Sequence, residues 1–206
     1  MMESIVAKGT PVREFKKQII EEAKVQGIDC VLELDKMRLR DKIGVYPGTV
    51  YLDHQVIDAG KKMYVEPLKG LEKKHKAQRQ VYVIRWRPSQ CSVDPIEEII
   101  LDNYNGDPKD VIGKLSELSG VSVEYISYTE GKQFPVEISC LDIDNELIWY
   151  RIAGGYSLRL YDGRVIYYKD KRETKKELTD KERSEIQEAE TARLEKIKEC
   201  KSKHGL

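Results

Sequence analysis

Asp107-Pro108-Lys109-Asp110-Val111-Ile112-Gly113-Lys114-Leu115-Ser116-Glu117-Leu118-Ser119-Gly120 reads as one short helix with both ends specified. Asp107 offers a side-chain acceptor to the first free backbone amides, and Pro108 presets the φ of a first helical position. Val111, Ile112, Leu115 and Leu118 fall on a single apolar stripe. Gly120 can adopt the left-handed conformation that closes a helix. The same grammar occurs earlier: Thr10-Pro11 opens, Val12, Phe15, Ile19 and Ala23 form the stripe, and Gly27 closes. Two similar modules follow from this repetition.

Outward from the Asp107 helix lie strand signals. Upstream, Gln80-Val81-Tyr82-Val83-Ile84-Arg85-Trp86 is a strand closed at Arg87-Pro88. Ile96-Glu97-Glu98-Ile99-Ile100-Leu101 is either a helical turn after Asp94-Pro95 or, as its position favours, the return arm of a hairpin. Downstream come a strand at residues 124–129 and the alternating Glu137-Ile138-Ser139-Cys140-Leu141-Asp142-Ile143. Ser157-Leu158-Arg159-Leu160-Tyr161 and Arg164-Val165-Ile166-Tyr167-Tyr168 then flank Asp162-Gly163, which predicts a hairpin with a type I′ turn. Strand, strand, capped helix, strand, short strand and long closing strand is the β-grasp order, a mixed sheet curled around one helix. Each buried stripe residue then contributes about 1.5–3 kcal/mol before the entropy cost.

The first module reads Ser4-Ile5-Val6-Ala7 as a short strand, then a helix from Pro11 to Gln26. Next come Ile28-Asp29-Cys30-Val31, the period-2 strand Met37-Arg38-Leu39-Arg40, and a loop over residues 41–48 with a Pro47-Gly48 turn. Thr49-Val50-Tyr51-Leu52 and Lys62-Met63-Tyr64-Val65-Glu66-Pro67-Leu68 complete it. Period 2 turns Met37, Leu39, Met63 and Val65 inward and Arg38, Arg40, Tyr64 and Glu66 outward. No opening strand is evident before Thr10, which would leave the closing strand with an open edge. Either the chain is an excised piece or something else completes this module.

The fold class is therefore α+β: two β-grasp modules in tandem, residues 1–78 and 79–170, plus a charged C-terminal helix over 171–206. Between the modules, Lys73-Lys74-His75-Lys76-Ala77-Gln78-Arg79 is either a nuclear-import or phosphate-binding patch or, as charge blocks more commonly are, a solvated linker. In the tail, Thr179 and Glu182 form a capping box. Ile186, Ala189, Leu194 and Ile197 give a stripe too thin for a coiled-coil seam, so the helix should dock one edge on the second module.

Bulk composition narrows the function. The chain has 206 residues, with 36 basic against 36 acidic side chains, so no global charge draws it to nucleic acid or membrane. Its four cysteines, Cys30, Cys91, Cys140 and Cys200, are widely spaced without a C-x-x-C pair, arguing against a disulfide framework or zinc site and for a reducing compartment. The opening Met1-Met2-Glu3-Ser4 lacks a signal-peptide pattern, and no apolar run would span a bilayer. A cytoplasmic or nuclear location is expected.

Val45-Tyr46-Pro47-Gly48-Thr49-Val50-Tyr51-Leu52-Asp53, Trp86-Arg87-Pro88-Ser89, Lys114-Leu115-Ser116-Glu117-Leu118-Ser119-Gly120-Val121 and Phe134-Pro135-Val136-Glu137-Ile138-Ser139-Cys140-Leu141-Asp142-Ile143 resemble the C-terminal ubiquitin-like region of the large ubiquitin-specific proteases. Glu177-Leu178-Thr179-Asp180-Lys181-Glu182-Arg183 continues the likeness, which runs from about Val6 to Leu194 in one register. The resemblance implies a cysteine-type deubiquitinase parent whose papain-like domain lies far upstream. The ubiquitin-like modules would modulate its activity or hold partners, the catalytic domain among them. A stand-alone β-grasp adaptor without a protease is the alternative.

No catalytic role is expected of the chain itself. A Gly-x-x-Cys-x nucleophile box and a Gly-His-Tyr box are absent, and none of Cys30, Cys91, Cys140 and Cys200 or His54, His75 and His204 has the corresponding context. No cofactor and no metal are expected: Asp142, Asp144, Asn145 and Glu146 lack calcium-loop spacing and read as a solvated turn. Gly154-Gly155 has no following Lys-Ser/Thr and reads as a flexible turn. Trp149-Tyr150 is core closure or an exposed anchor, with core closure favoured. The candidate partner-binding residues are Arg38, Arg40, Tyr64, Trp149 and Tyr150. The charged face bearing Arg38 and Tyr64 should not imitate ubiquitin toward its receptors, and the ending His204-Gly205-Leu206 is not that of a conjugated modifier.

Overall fold

The computed structural model describes residues 4–28, 32–43, 46–58, 63–102, 107–131, 138–151, 158 and 160–203. In chain order these form α1 (Val12–Val25), a 3-10 turn (Leu34–Lys36), β1 (Met37–Ile43), β2 (Tyr46–Tyr51), β3 (Met63–Pro67), β4 (Arg79–Arg87), β5 (Ser92–Val93) and β6 (Glu97–Leu101). After them come α2 (Pro108–Ser119), a second 3-10 turn (Val123–Tyr125), β7 (Ile126–Glu130), α3 (Ile143–Glu146), β8 (Arg164–Asp170) and α4 (Asp180–Lys203). The chain is a mixed α+β protein with two sheets. No helix among the described residues is long and apolar enough to cross a membrane.

The second sheet runs β5-β4-β8-β7, with β6 also on β4. β4 and β8 are parallel, while β6 and β7 are antiparallel to their neighbours. One face packs on α2: Val111, Ile112 and Leu115 meet Val81, Val83, Leu101, Ile126 and Ile166 in a single core. The cap is as the sequence specifies, with Asp107 accepting from Lys109 N at 2.9 Å and Gly120 at φ 69°. Leu118 departs from the expected stripe, being 39% exposed one residue from the helix end. Asp107→Ala should cost about 1 kcal/mol, read as a lower urea midpoint without a change in slope.

The other face of this sheet is covered too. Ile84, Trp86, Val165 and Tyr167 pack against Ile143 and Leu147, with Leu178 and Ile186 closing the layer. Two buried faces explain why β4 and β8 carry nearly continuous apolar runs. α4 begins at the expected capping box, Thr179 N donating to Glu182 Oε2 at 2.9 Å and Glu182 N to Thr179 Oγ1 at 3.3 Å. It docks through Ile186 and through Arg193, whose Nη2 donates to Ile138 O at 3.2 Å.

The first sheet is antiparallel, in the order β2-β1-β3. Met37, Leu39, Met63 and Val65 face α1 as the pleat requires, packing with Val12, Phe15 and Ile19. Residues 4–7 form no strand; Val6 packs on this core and Ile5 is 90% exposed. Thr10 is not the helix cap, since its hydroxyl donates back to Ala7 O at 2.8 Å. The amides of Val12 and Arg13 are satisfied instead by the carbonyls of Gln55 and Asp53, at 2.8 and 3.2 Å. Pro47 and Gly48 lie inside β2, opposite a register shift between Arg40 and Lys42, rather than in a loop.

Three further expectations change. The Asp162-Gly163 turn exists, with Gly163 at φ 80°, but Leu158, Leu160 and Tyr161 form no hairpin arm. Both edges of β8 are already taken by β4 and β7, so no place remains for one. Residues 138–142 are turn rather than strand and lead into α3. The acidic cluster there is not solvated throughout, because Asp144 accepts from Trp86 Nε1 at 3.1 Å and Lys169 Nζ at 2.5 Å. Cys30, the Phe134-to-Glu137 stretch and Gly154-Gly155 lie outside the described residues.

Candidate functional site at the junction of the sheets

Alternation along β1 puts Arg38 and Arg40 on the face away from α1, as expected. Their exposure is not as expected: Arg38 is 1% exposed and Arg40 fully buried. The second sheet covers this face, so neither guanidinium is available to an outside partner. Arg38 donates through Nε and Nη2 to the Glu72 carboxylate at 2.6 and 2.8 Å. Its Nη1 and Nη2 reach Glu98 of β6 at 2.8 and 3.1 Å. Arg40 donates through Nε and Nη2 to Gly48 O at 3.2 and 3.0 Å, and again through Nη2 to Gln80 Oε1 of β4 at 2.7 Å. Its Nη1 meets Tyr82 Oη at 2.7 Å and Glu66 at 3.0 Å, while the Tyr82 hydroxyl donates to Glu66 at 2.5 Å. Two arginines of the first sheet are thus neutralised by acceptors from both sheets and from the connector.

A second clasp lies beside the first. Asp162 accepts from Gln80 N of its own sheet at 2.9 Å and from Val50 N of β2 at 3.0 Å. Lys74 Nζ sits 3.5 Å from the same carboxylate, and both side chains are less than 5% exposed. Lys74 therefore corrects the reading of residues 73–79 as wholly solvated: one lysine of the run turns inward. Gly163, next to Asp162, is pressed onto β2. A Cβ there would overlap the Pro47 carbonyl oxygen and come within 2.8 Å of its carbon and 2.9 Å of Arg40 Nη2.

Ionisation follows this geometry. Burial alone would lower the Arg38 guanidinium, but its bonds to Glu72 and Glu98 prevail and raise it. Burial pushes Glu72 up, and the opposing bonds from Arg38 and from the Lys74 amide hold it below its ordinary range. Burial pushes the half-buried Tyr64 hydroxyl up to about 12 despite Arg40 nearby, and raises Tyr82 as well. Arg38 and Glu72 are thereby each held in the charged form, which suits a fixed structural joint rather than a proton-transfer site.

The remaining candidates sit elsewhere. Trp149 and Tyr150 are half-buried on different cores: Lys169 Nζ lies 4.2 Å from the Trp149 ring centre, and Tyr150 pairs by backbone with Tyr128. Both therefore take part in core closure. Cys91 and Cys140 lie close together, Cys91 Sγ approaching Cys140 O at 3.8 Å. Burial raises both thiols, Cys140 to about 11, and so suppresses the nucleophilic thiolate. Among the described residues no three His, Cys, Asp or Glu side chains are grouped to hold a metal. Glu66, Glu72, Glu98, Gln80, Tyr82 and Asp162 were not among the sequence candidates. Only the outward-facing pattern of Glu66 hinted at a role, because partners tens of residues away leave no local signal.

Two sheets joined by buried ion pairs define an α+β protein. The chain matches the family described as "Ubiquitin carboxyl-terminal hydrolase 47 C-terminal" over residues 1–204. It is 37% identical over 210 residues to ubiquitin carboxyl-terminal hydrolase 47 of Homo sapiens and 36% over 209 to that of Mus musculus, covering 95% of this chain in each case. The Drosophila melanogaster protein of the same name is 26% identical over 205 residues. The chain belongs to this C-terminal family of the ubiquitin carboxyl-terminal hydrolases. It spans about 15% of the length of the mouse and human relatives.

Proposed function

We propose that the chain is a non-catalytic scaffold of a cysteine-type deubiquitinase, built of two ubiquitin-like β-grasp modules in tandem with a charged terminal helix. It modulates a catalytic domain or docks its partners. The observation that carries this reading is the buried Arg38–Arg40 junction. Fixing two modules before any partner arrives removes ordering entropy that a flexible pair would lose on binding. The strand order β6-β4-β8-β7 around α2 supports the β-grasp reading of the second module, and β2-β1-β3 beside α1 matches its second half. The raised Cys91 and Cys140 thiols favour a role without a nucleophile. The sheet face through which ubiquitin is read by its receptors is, in the first module, turned onto the second.

The test adds the purified chain to a deubiquitinase core lacking it and follows hydrolysis of ubiquitin-7-amido-4-methylcoumarin. A change in kcat or KM is expected, and no turnover by the chain alone. An unchanged core would favour a stand-alone adaptor, and turnover by the isolated chain would overturn the scaffold.

A further inference from the structure

Helix, 3-10 turn, strand and closing strand occur twice: α1, Leu34–Lys36, β1 and β3, then α2, Val123–Tyr125, β7 and β8. In both, the first residue of the middle strand faces the last residue of the closing strand, Met37 opposite Pro67 and Ile126 opposite Asp170. Superposing these pairs sets Met63 on Ile166, Tyr64 on Tyr167 and Val65 on Tyr168. In the second unit the far edge of β8 is filled by β4 running parallel, with Val83 beside Ile166 and Arg85 beside Tyr168. In the first unit, among the described residues, β3 ends the sheet.

The free edge has a definite chemistry. Leu68 N donates to Lys36 O at 2.8 Å, which fixes the phase of the antiparallel ladder. Tyr64 and Glu66 then bond to β1, while the N–H and C=O of Met63 and Val65 point outward, together with the carbonyl of Pro67. Burial agrees. Ile166 and Tyr168, shielded by β4, are 0% and 3% exposed, whereas Met63 and Val65 are only partly buried against the α1 core. The edge is also continuous with the junction, since Glu66 on the same strand bonds Arg40 and Tyr82. Three carboxylates, Glu66, Glu72 and Glu98, surround two arginines there, leaving an acidic surplus.

We propose that the outer edge of β3 is the docking site of one extended polypeptide strand, running parallel to β3 and supplied by sequence beyond the span that this chain shares with its relatives. Two apolar residues at alternate positions face α1, as Val81 and Val83 face α2. The proposal rests on the β-grasp reading above. It stands or falls separately from any effect on a deubiquitinase, because strand docking is read on the chain alone.

The probe is a synthetic peptide of residues 79–87, Arg-Gln-Val-Tyr-Val-Ile-Arg-Trp-Arg, added to the full chain with amide exchange followed by NMR. Exchange at Met63 and Val65 should slow by about tenfold or more, with Ile166 and Tyr168 unchanged. Val65→Pro removes only the outward donor, which an edge strand tolerates, and should abolish the effect. Because that variant could still disturb the sheet, peptides N-methylated at alternate residues give a second measurement on the unaltered chain; one of the two phases should lose protection. No protection of Met63 and Val65, or protection that survives both changes, overturns the proposal. So does a concentration-dependent dimer that protects β3 without peptide, which would make a second copy the occupant.

Discussion

Gly163→Ala is expected to cost about 3 kcal/mol or more, through the combined strain of a side chain at positive φ and a clash with backbone. The φ of 80° is unfavourable to any L side chain, and the new Cβ meets the Pro47 carbonyl group, which β1 holds in place through the Pro47–Lys42 pairing. A rotamer change cannot relieve a clash made by Cβ itself. The relief available is to lift the 162–163 turn off β2, which breaks the Asp162 bonds to Val50 and loosens Lys74. Loss should therefore be local before it is global. Amide exchange at Val50 and Gln80 should rise steeply, while Leu115 and Ile19, in the two helix cores, keep most of their protection. Equal loosening at all four positions would show that the junction is not a separable element.

Arg38→Met should be nearly as damaging, at about 3–5 kcal/mol, the cost of stripping one partner from a buried ion cluster. The methionine fills similar volume but leaves Glu72 and Glu98 without their cation and Glu66 with Arg40 alone; the three side chains are 21%, 31% and 22% exposed. For a chain of this size the melting temperature should fall by roughly 10 °C. Arg38→Lys keeps the charge and loses the fork, and should lie between the two. Acid gives a signed test. Glu72 is held below its ordinary value in the folded chain, so its contribution is complete above about pH 4.3 and is lost as pH falls through the folded value. In Arg38→Met the same burial is opposed only by the backbone amides of Lys73 and Lys74, so Glu72 rises relative to its value in the parent. The variant should then gain stability relative to the parent on acidification, and parallel pH profiles would refute the assignment.

The capped helix at Asp107 and most strands of both sheets, though not β5 or the Pro47-Gly48 start of β2, were legible because their signals are local: a cap, a glycine, a period of two. Inward and outward residues of β1 and β3 were legible for the same reason. What covers the outward face was not. Arg38 and Arg40 look solvated in sequence because charge on a strand usually marks water, and their acceptors Glu98 and Gln80 lie 60 and 40 residues away. Leu158, Leu160 and Tyr161 failed as a hairpin arm for a related reason, since β4, distant in sequence, had already claimed the edge of β8. Thr10 failed as a cap because carbonyls from the 53–55 loop reach the helix start first.

The bond from Val50 N to the Asp162 carboxylate spans 112 residues. At a ribosome adding about 5–20 residues each second, roughly six to twenty seconds separate the synthesis of its two ends. Throughout that interval Val50 N lacks the carboxylate that joins it to Lys74, although the last acceptor of Arg38 and Arg40, Glu98, is made long before. Slow codons or a bound chaperone between these points would act on this interval, whereas events after β8 has emerged would find the two halves already latched.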